Sequence, residues 1–300
     1  MATLKRDLWT AELVNKFRHD KDYLRVVPRR DDLVEADNIH WANIGADPDV
    51  LINNTTYPID AAARTDTDGY ISLDKFQTKV TMITDDELYA LPYDKPGSVI
   101  RQHREVLEDK TAEYGLWQLA PEKTTSGVES LIMTSGDSNG ATQARKRLTV
   151  ADVVKAKKFM DSLDVPRYGR ILVLCPDHVE DLLLVSEAFE KQYQNIREGE
   201  VLRMYGFDVF EFTKTPIYKV DSGVLKRRAW GSTADNADQV GSPFFWAPNT
   251  IRALGSVKMY YQLAETSPTT QAGGINFRLM HKVFAKSRVG FGALVATIHA

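Results

Sequence analysis

Gly136-Asp-Ser138-Asn-Gly140 has the G-x-S-x-G spacing of a nucleophile elbow. In a serine hydrolase such a serine attacks an ester or amide, with a later histidine, here His281, as its base. An elbow needs a buried strand before the serine and a helix directly after it, so that the hydroxyl is strained and exposed. The flanks here, Thr134-Ser135 and Ala141-Thr-Gln, are loop-like, and no HGGG-type segment supplies an oxyanion hole. Gly-Asp-Ser is also the wording of trypsin-like proteases, which need an upstream His and Asp on a β-barrel scaffold. A flexible Gly/Ser loop explains the pattern better, and the hydrolase stays as an alternative of a different class.

Cys175-Pro-Asp-His178 offers a thiol beside an imidazole. A nucleophilic cysteine needs an accessible thiol and a base within hydrogen-bond reach. Cys175 closes the apolar run Ile171–Leu174, where a buried, inert thiol is the commoner outcome. Asp66-Thr-Asp68-Gly69 resembles part of a calcium loop, but aligning Gly69 with the loop glycine puts Arg64 and Lys75 at ligand positions. Asp68-Gly69 reads instead as a tight turn. Six scattered histidines and one cysteine give no metal-ligand spacing. Basic clusters at Arg29-Arg30, Arg145–Arg147 and Lys226–Arg228 have acidic neighbours and read as solvated surface, with a salt-bridge network between subunits as the next choice. Walker and dinucleotide-type glycine loops are absent. No catalytic, cofactor-binding or metal site is therefore assigned, which favours a structural or binding role over an enzyme.

The bulk properties agree. A chain of 300 residues, 43% hydrophobic and 26% charged, can bury a sizeable core as one large or two small domains. A net charge of −3 argues against a dedicated nucleic-acid binder. One cysteine precludes an intramolecular disulfide. Met1–Trp9 lacks the apolar stretch of a secretory signal, and no run approaches the ~20 apolar residues of a membrane span.

The elements that would carry these residues come in a definite order. Trp9, Leu13 and Phe17, with Val14, have the spacing of an amphipathic helix. An extended, charged arm follows around Pro28. Residues 41–83 read as β structure with a long polar excursion, ending in a half-buried strand whose inward side is Phe76, Thr78, Val80 and Met82. A charged helix runs from Pro96 to Leu116 with a thin apolar stripe of Val99, Val106, Leu107 and Tyr114. After a Ser/Thr/Gly loop with a short strand at Ser130–Met133, an α/β unit opens at Thr149, where Asp152 completes a capping-box pattern. Its helix buries Val150, Val153, Val154, Met160 and Leu163. Ile171–Leu174 is apolar throughout and predicts a central strand buried on both faces. Pro176 opens the next helix. Val201–Phe212 predicts a strand bent at Gly206, Phe244–Trp246 another, Pro248–Leu254 a short helix closed by Gly255, and Asp221–Ser242 an exposed polar loop. Strand-like patterns return at Phe277–Ala285 and Val289–Ile298.

This order, with wording such as Gly199-Glu-Val-Leu-Arg-Met-Tyr-Gly-Phe-Asp-Val-Phe210, resembles the major capsid proteins of tailed bacteriophages, the HK97-like fold. The resemblance implies an α+β chain with an N-terminal arm (1–38), an extended E-loop hairpin (39–83), a P-domain with a long spine helix and β-sheet (84–148), an α/β A-domain (149–263) and return strands to the P-domain (264–300). It implies a structural shell protein that self-assembles through pentamers and hexamers into an icosahedral head around double-stranded DNA. Implied partners are further copies of the chain, a separate scaffolding protein, a portal, possible decoration proteins and non-specific contact with the packaged DNA, with no membrane. The implied location is the virion, after assembly in the host cytoplasm. Encapsulin-like nanocompartment shells share the fold and stand as the alternative. Because Ser138 lacks an elbow, Ser138→Ala is expected to leave assembly unchanged. Labelling of the unmodified protein by a fluorophosphonate probe, abolished in that variant, would establish the hydrolase instead.

Overall fold

The computed structural model describes residues 22–298 apart from 36, 61–62, 91–93, 141–144, 195–201, 222, 234, 236–237 and 268. The amphipathic pattern at Trp9–Phe17 lies outside the described residues. The arm enters as a helical turn, α1 (Tyr23–Val26), and is followed by β1 (Val34–Glu35), β2 (Asn38–Asn43) and β3 (Thr67–Ser72). Next come β4 (Asp74–Gln77), β5 (Thr81–Thr84), α2 (Asp85–Ala90) and the long helix α3 (Lys95–Leu119). The central region holds β6 (Glu129–Met133), β7 (Arg145–Lys146), α4 (Val150–Ser162), β8 (Arg170–Leu174), α5 (Pro176–Val185) and α6 (Glu187–Gln194). β9 (Leu202–Met204), β10 (Phe207–Glu211), β11 (Ile217–Asp221), β12 (Val224–Arg227) and β13 (Gln239–Trp246) follow. The chain closes with β14 (Thr250–Gln262), β15 (Ala272–Ala285), β16 (Phe291–Val295) and β17 (Thr297–Ile298).

An eight-stranded sheet runs β12-β11-β13-β8-β10-β9, with β16 joining β13 to β6. Its centre, β8, pairs in parallel with β10 and antiparallel with β13. All five β8 residues are buried, as the apolar run predicts, because two layers cover it. Leu172 and Leu174 face Val153, Met160 and Leu182 of α4 and α5. Ile171 and Val173 face Leu116 and Leu119 of α3 and Tyr23 of α1. The long helix is thus a wall of the central core. Its register is set at the start by Asp94, whose Oδ1 accepts from the Gly97 N–H at 3.0 Å. Val99, His103, Leu107 and Thr111 recur every four residues on its buried side, whereas Val106 is turned out. Thr149 opens α4 as expected, its N–H and hydroxyl both donating to Asp152 Oδ2 at 3.2 and 2.9 Å.

Five expectations are corrected. Pro248–Leu254 is no helix: a single 3-10 turn over Ala247–Asn249 leads into the 13-residue strand β14, paired with β15 along its length. Gly255 sits in a bulge between Leu254 and Val257, not at a helix end. The bend at Gly206 is a two-residue hairpin, Met204 pairing with Phe207, with both Tyr205 and Gly206 at positive φ. Asp68-Gly69 is no turn but lies within β3 opposite Ala42 and Trp41. A Cβ on Gly69 would stand 2.2 Å from Trp41 Cε2, so the glycine admits the indole across the ladder. The polar segment 221–242 contains β12, and its residues Gln239 and Ser242 are buried in β13.

The fifth correction is the strand at 76–82. β4 and β5 both pair with β15, but three steps of β15 (Arg278 to Ile275) face four of the edge chain (Gln77 to Thr81). The extra residue reverses the alternation. Ile83 faces inward while Val80 and Met82 face solvent. His103 spans the irregularity, its Nδ1 2.7 Å from Thr78 Oγ1 and its Nε2 2.9 Å from Thr81 Oγ1.

The C-terminal end of α3 is closed by two arginines. Arg227 of β12 donates to the carbonyls of Trp117 and Ala120 and lies 3.8 Å over the Trp117 ring. Arg288 donates to Gln118 and Leu119 at 2.8 and 3.2 Å. Arg227→Ala is expected to lower subunit stability by about 3 kcal/mol, because it removes two charge-assisted bonds and a cation–π interaction at once. Arg288→Ala, at a more exposed guanidinium, should cost about half of that. Urea unfolding of the two single variants measures both.

Candidate assembly surface

Between β2 and β3 lie 23 residues, 44–66, with no helix or strand among those described. Their base is firmly built. The β2–β3 ladder pairs six residues on each side, from Asn38 with Ser72 to Asn43 with Thr67. Ile39 and Leu73 are buried with Ile251, Ala253 and Phe284, and the Trp41 ring packs 5.1 Å from Phe284. Asp66 accepts from the Gly45 N–H and from Arg64, which lowers its carboxyl pKa, the Arg64 bond acting most strongly.

Past that clasp the chemistry reverses. Val50 and Ile52 are each 83% exposed, and Ile44, Leu51, Tyr57 and Ile59 are exposed too. Aspartates at 47, 49 and 60 accompany them. Six large apolar side chains within sixteen residues, held away from the chain's own core, are costly in water unless another surface covers them. A second exposed apolar group lies at the far end of the β14–β15 pair, with Val257, Met259, Tyr260, Tyr261 and Leu263.

The residues with chemical potential are placed elsewhere and apart. Ser138 is exposed between β6 and β7, a strand–loop–strand setting, and its Oγ accepts from Gly140 N–H at 3.3 Å. His281 lies buried in β15 against Phe76, with burial as the main cause of a pKa lowered to about 4. No hydrogen bond joins the two. Cys175 is buried, and burial pushes its thiol up to about 11. His178 does not activate it: its Nδ1 lies 2.7 Å from Ser242 Oγ, which also accepts from the Cys175 N–H. Burial, with Arg145 second, lowers the His178 pKa to about 4. Among the described residues, no group of three or more His, Cys, Asp and Glu side chains is placed to hold a metal ion.

The basic clusters are more structural than a solvated-surface reading allows. Arg145 is turned inward onto Asp181, Arg228 pairs with Asp238, and Arg227 caps α3. Arg29 and Arg30 pair with Asp31 and Asp32 at the surface. Sequence reasoning missed the exposed end of β14, although Val257-Lys-Met-Tyr-Tyr261 has strong strand propensity. It also missed the paired roles of Arg227 and Arg288, for which no local signal exists.

The architecture is the HK97-like α+β fold. A chain from Mycobacterium phage Che8 matches it with a TM-score of 0.66 at 11% identity, covering 98% of each chain. The capsid of cyanophage P-SCSP1u matches with a TM-score of 0.67 at 17% identity, over 97% of this chain and 92% of that one. The capsid of an empty GTA particle gives 0.67 at 12% identity, over 96% and 94%. Residues 121–257 match the family model described as phage capsid protein. No curated protein matches the chain. The family match spans less than half of this chain, and the likeness to these capsid structures is one of fold. Among the described residues no helix is long and apolar enough to cross a membrane.

The buried histidines set an acid limit. An unfolded histidine binds a proton near pH 6.5, whereas folded His178 and His281 do so near 4. Between those values the unfolded state holds more protons, so stability present above pH 6.5 is lost as the pH falls toward 4, by about 3 kcal/mol per histidine. Urea midpoints of subunits at pH 7 and pH 4.5 are expected to differ accordingly. The difference should shrink in His178→Asn, whose amide can keep the Ser242 bond without a titrating ring.

Proposed function

We propose that the chain is the major capsid protein of a tailed bacteriophage, a non-enzymatic subunit of its icosahedral head. The observation that carries this is the apolar 44–60 segment, held out on a rigid base by a chain whose fold matches capsid structures over nearly its whole length. Such a segment is stable when a neighbouring copy covers it, and closed symmetry repeats that contact around the shell. The neighbours' origin in capsids of phages and GTA particles supports assembly into an oligomeric shell. On this reading 1–38 is the arm, 39–83 the E-loop region, 84–148 and 264–300 the P-domain with α3 as its spine, and 149–263 the A-domain. Pentamers and hexamers form in the host cytoplasm with a separate scaffolding protein, a portal and possible decoration proteins. The virion is the final location. Contact with packaged double-stranded DNA is non-specific, in keeping with a net charge of −3 and with Arg145 and Arg228 turned onto Asp181 and Asp238.

Electron microscopy of the purified protein, with scaffold supplied, is expected to show closed shells or capsomers. Light scattering that finds only a stable monomer in every assembly condition would refute the proposal. Replacing residues 47–60 by a short Gly-Ser linker removes the apolar run and spares the β2–β3 ladder. The subunit should keep its thermal unfolding midpoint within a few degrees, while particle yield by sedimentation falls at least tenfold.

A further inference from the structure

Gly136-Asp-Ser-Asn-Gly140 makes no nucleophile elbow, yet its last two residues have a chemistry of their own. Residues 136–139 and 145–147 run side by side as a narrow ladder. Gly136 N–H donates to Arg147, Arg147 N–H to Asp137 and Asn139 N–H to Arg145, each to a carbonyl at 3.0 Å. At the end of this ladder Arg145 N–H donates to a side chain, Oδ1 of Asn139, at 3.1 Å. Gly140 N–H leaves the ladder. The partner the structure gives it is Ser138 Oγ at 3.3 Å, a long bond readily exchanged for one to water. Gly140 is exposed at a φ of +74°, and a Cβ built there would meet nothing within 4 Å, so the approach to its nitrogen is open.

We propose that Asn139 is a site of covalent self-modification, at which the Gly140 nitrogen attacks the side-chain amide carbon, Cγ. Water takes the Gly140 proton as the N–Cγ bond closes a five-membered ring. Negative charge gathers on Oδ1, where the Arg145 N–H already stands as a single oxyanion donor. The Cγ–Nδ2 bond then breaks, and the amino group takes a proton from water and leaves as ammonia. Water opens the resulting succinimide at either carbonyl, giving aspartate or isoaspartate. In sum, one water is consumed and one ammonia released. Glycine matters because a side chain on the attacking residue crowds the ring closure. Every other asparagine of the chain precedes a residue with a side chain. The product places a new negative charge beside Arg145, whose guanidinium is bonded to Asp181 and to the Asp177 carbonyl. Isoaspartate also lengthens the main chain by a carbon, which disturbs the Asn139–Arg145 pair that ends the ladder. The reaction needs this loop alone and is independent of the shell reading.

The test incubates the folded full-length protein at pH 7 and pH 8 and digests it with trypsin. Cleavage after Lys123 and Arg145 gives a peptide, 124–145, whose only asparagine is Asn139. Fragmentation should place a mass gain of about one dalton on residue 139, and isoaspartyl methyltransferase should label the same peptide. Conversion there is expected roughly tenfold ahead of any other asparagine, because nucleophile, electrophile and oxyanion donor are held together. The rate should rise with pH, since the attacking nitrogen must lose its proton. It should also be at least that of the chain unfolded in urea, which keeps the Asn-Gly pair and loses the Arg145 donor. Asn139→Gln, whose ring would be one atom larger, should abolish the product, and Gly140→Ala should slow it about tenfold. A folded rate below the unfolded one overturns the proposal, because the ladder then shields Asn139. So do conversion spread evenly over the asparagines and an unchanged rate in Gly140→Ala. The comparison of folded with unfolded protein uses the unmodified chain, so it decides the matter even if a variant fails to fold.

Discussion

The four carbonyls from Trp117 to Ala120 end α3 inside the molecule, and two guanidinium groups receive them. Left unpaired there, such carbonyls would carry the full cost of desolvation. A cation at this end also offsets the negative pole of the helix. The donors come from different places: Arg227 from β12 of the eight-stranded sheet, Arg288 from the turn joining β15 to β16. One helix end therefore fixes the relation of the central sheet to the β14–β15 sheet. Arg288 also lies 3.6 Å from Glu129 of β6, whose carboxyl pKa is raised chiefly by burial. Everything that α3 positions, from the core against β8 to the bonds His103 makes at the β4–β5 irregularity, depends on this closure.

From that frame the molecule divides its labour. Residues that could react are buried, capped or turned to structural bonds. The Cys175 N–H and His178 Nδ1 both meet the Ser242 hydroxyl in the core, and Asp152 serves as a hub for Thr149, Ser135 and Lys155. Among the described residues, the 44–60 segment and the outer end of β14 each group several exposed apolar side chains.

What the sequence disclosed follows the reach of each physical signal. Short-range signals were legible: the Asp152 partner of Thr149, proline at the start of α5, and the uniformly apolar β8. The α3 span was readable from Pro96 and Pro121, falling short by a few residues at its end. Signals overridden by pairing were not. Pro248 and Gly255 look like the two ends of a helix, yet Thr250–Gln262 finds a long antiparallel partner in β15, and the glycine serves a bulge. The alternation in 76–82 was real, but a single extra residue placed its second half on the opposite face. The 44–66 excursion was legible as a segment lacking its own core; the open edge of β14 was not, because nothing local tells an edge strand from a central one.

The irregularity between Gln77 and Thr81 bears on how this chain can change over time. Across it, side-chain facing is a matter of counting. Removing or adding one residue at 78–80 would turn Ile83 out and Met82 in, and would release the two threonines that hold His103. The length of that segment is thus fixed more tightly than its composition. The 44–66 excursion has the opposite tolerance: its ends are tied by a ladder, and nothing inside it counts register within the chain. Insertions and deletions should accumulate in the excursion and be excluded from the three residues beside His103, whatever the substitution rate of either.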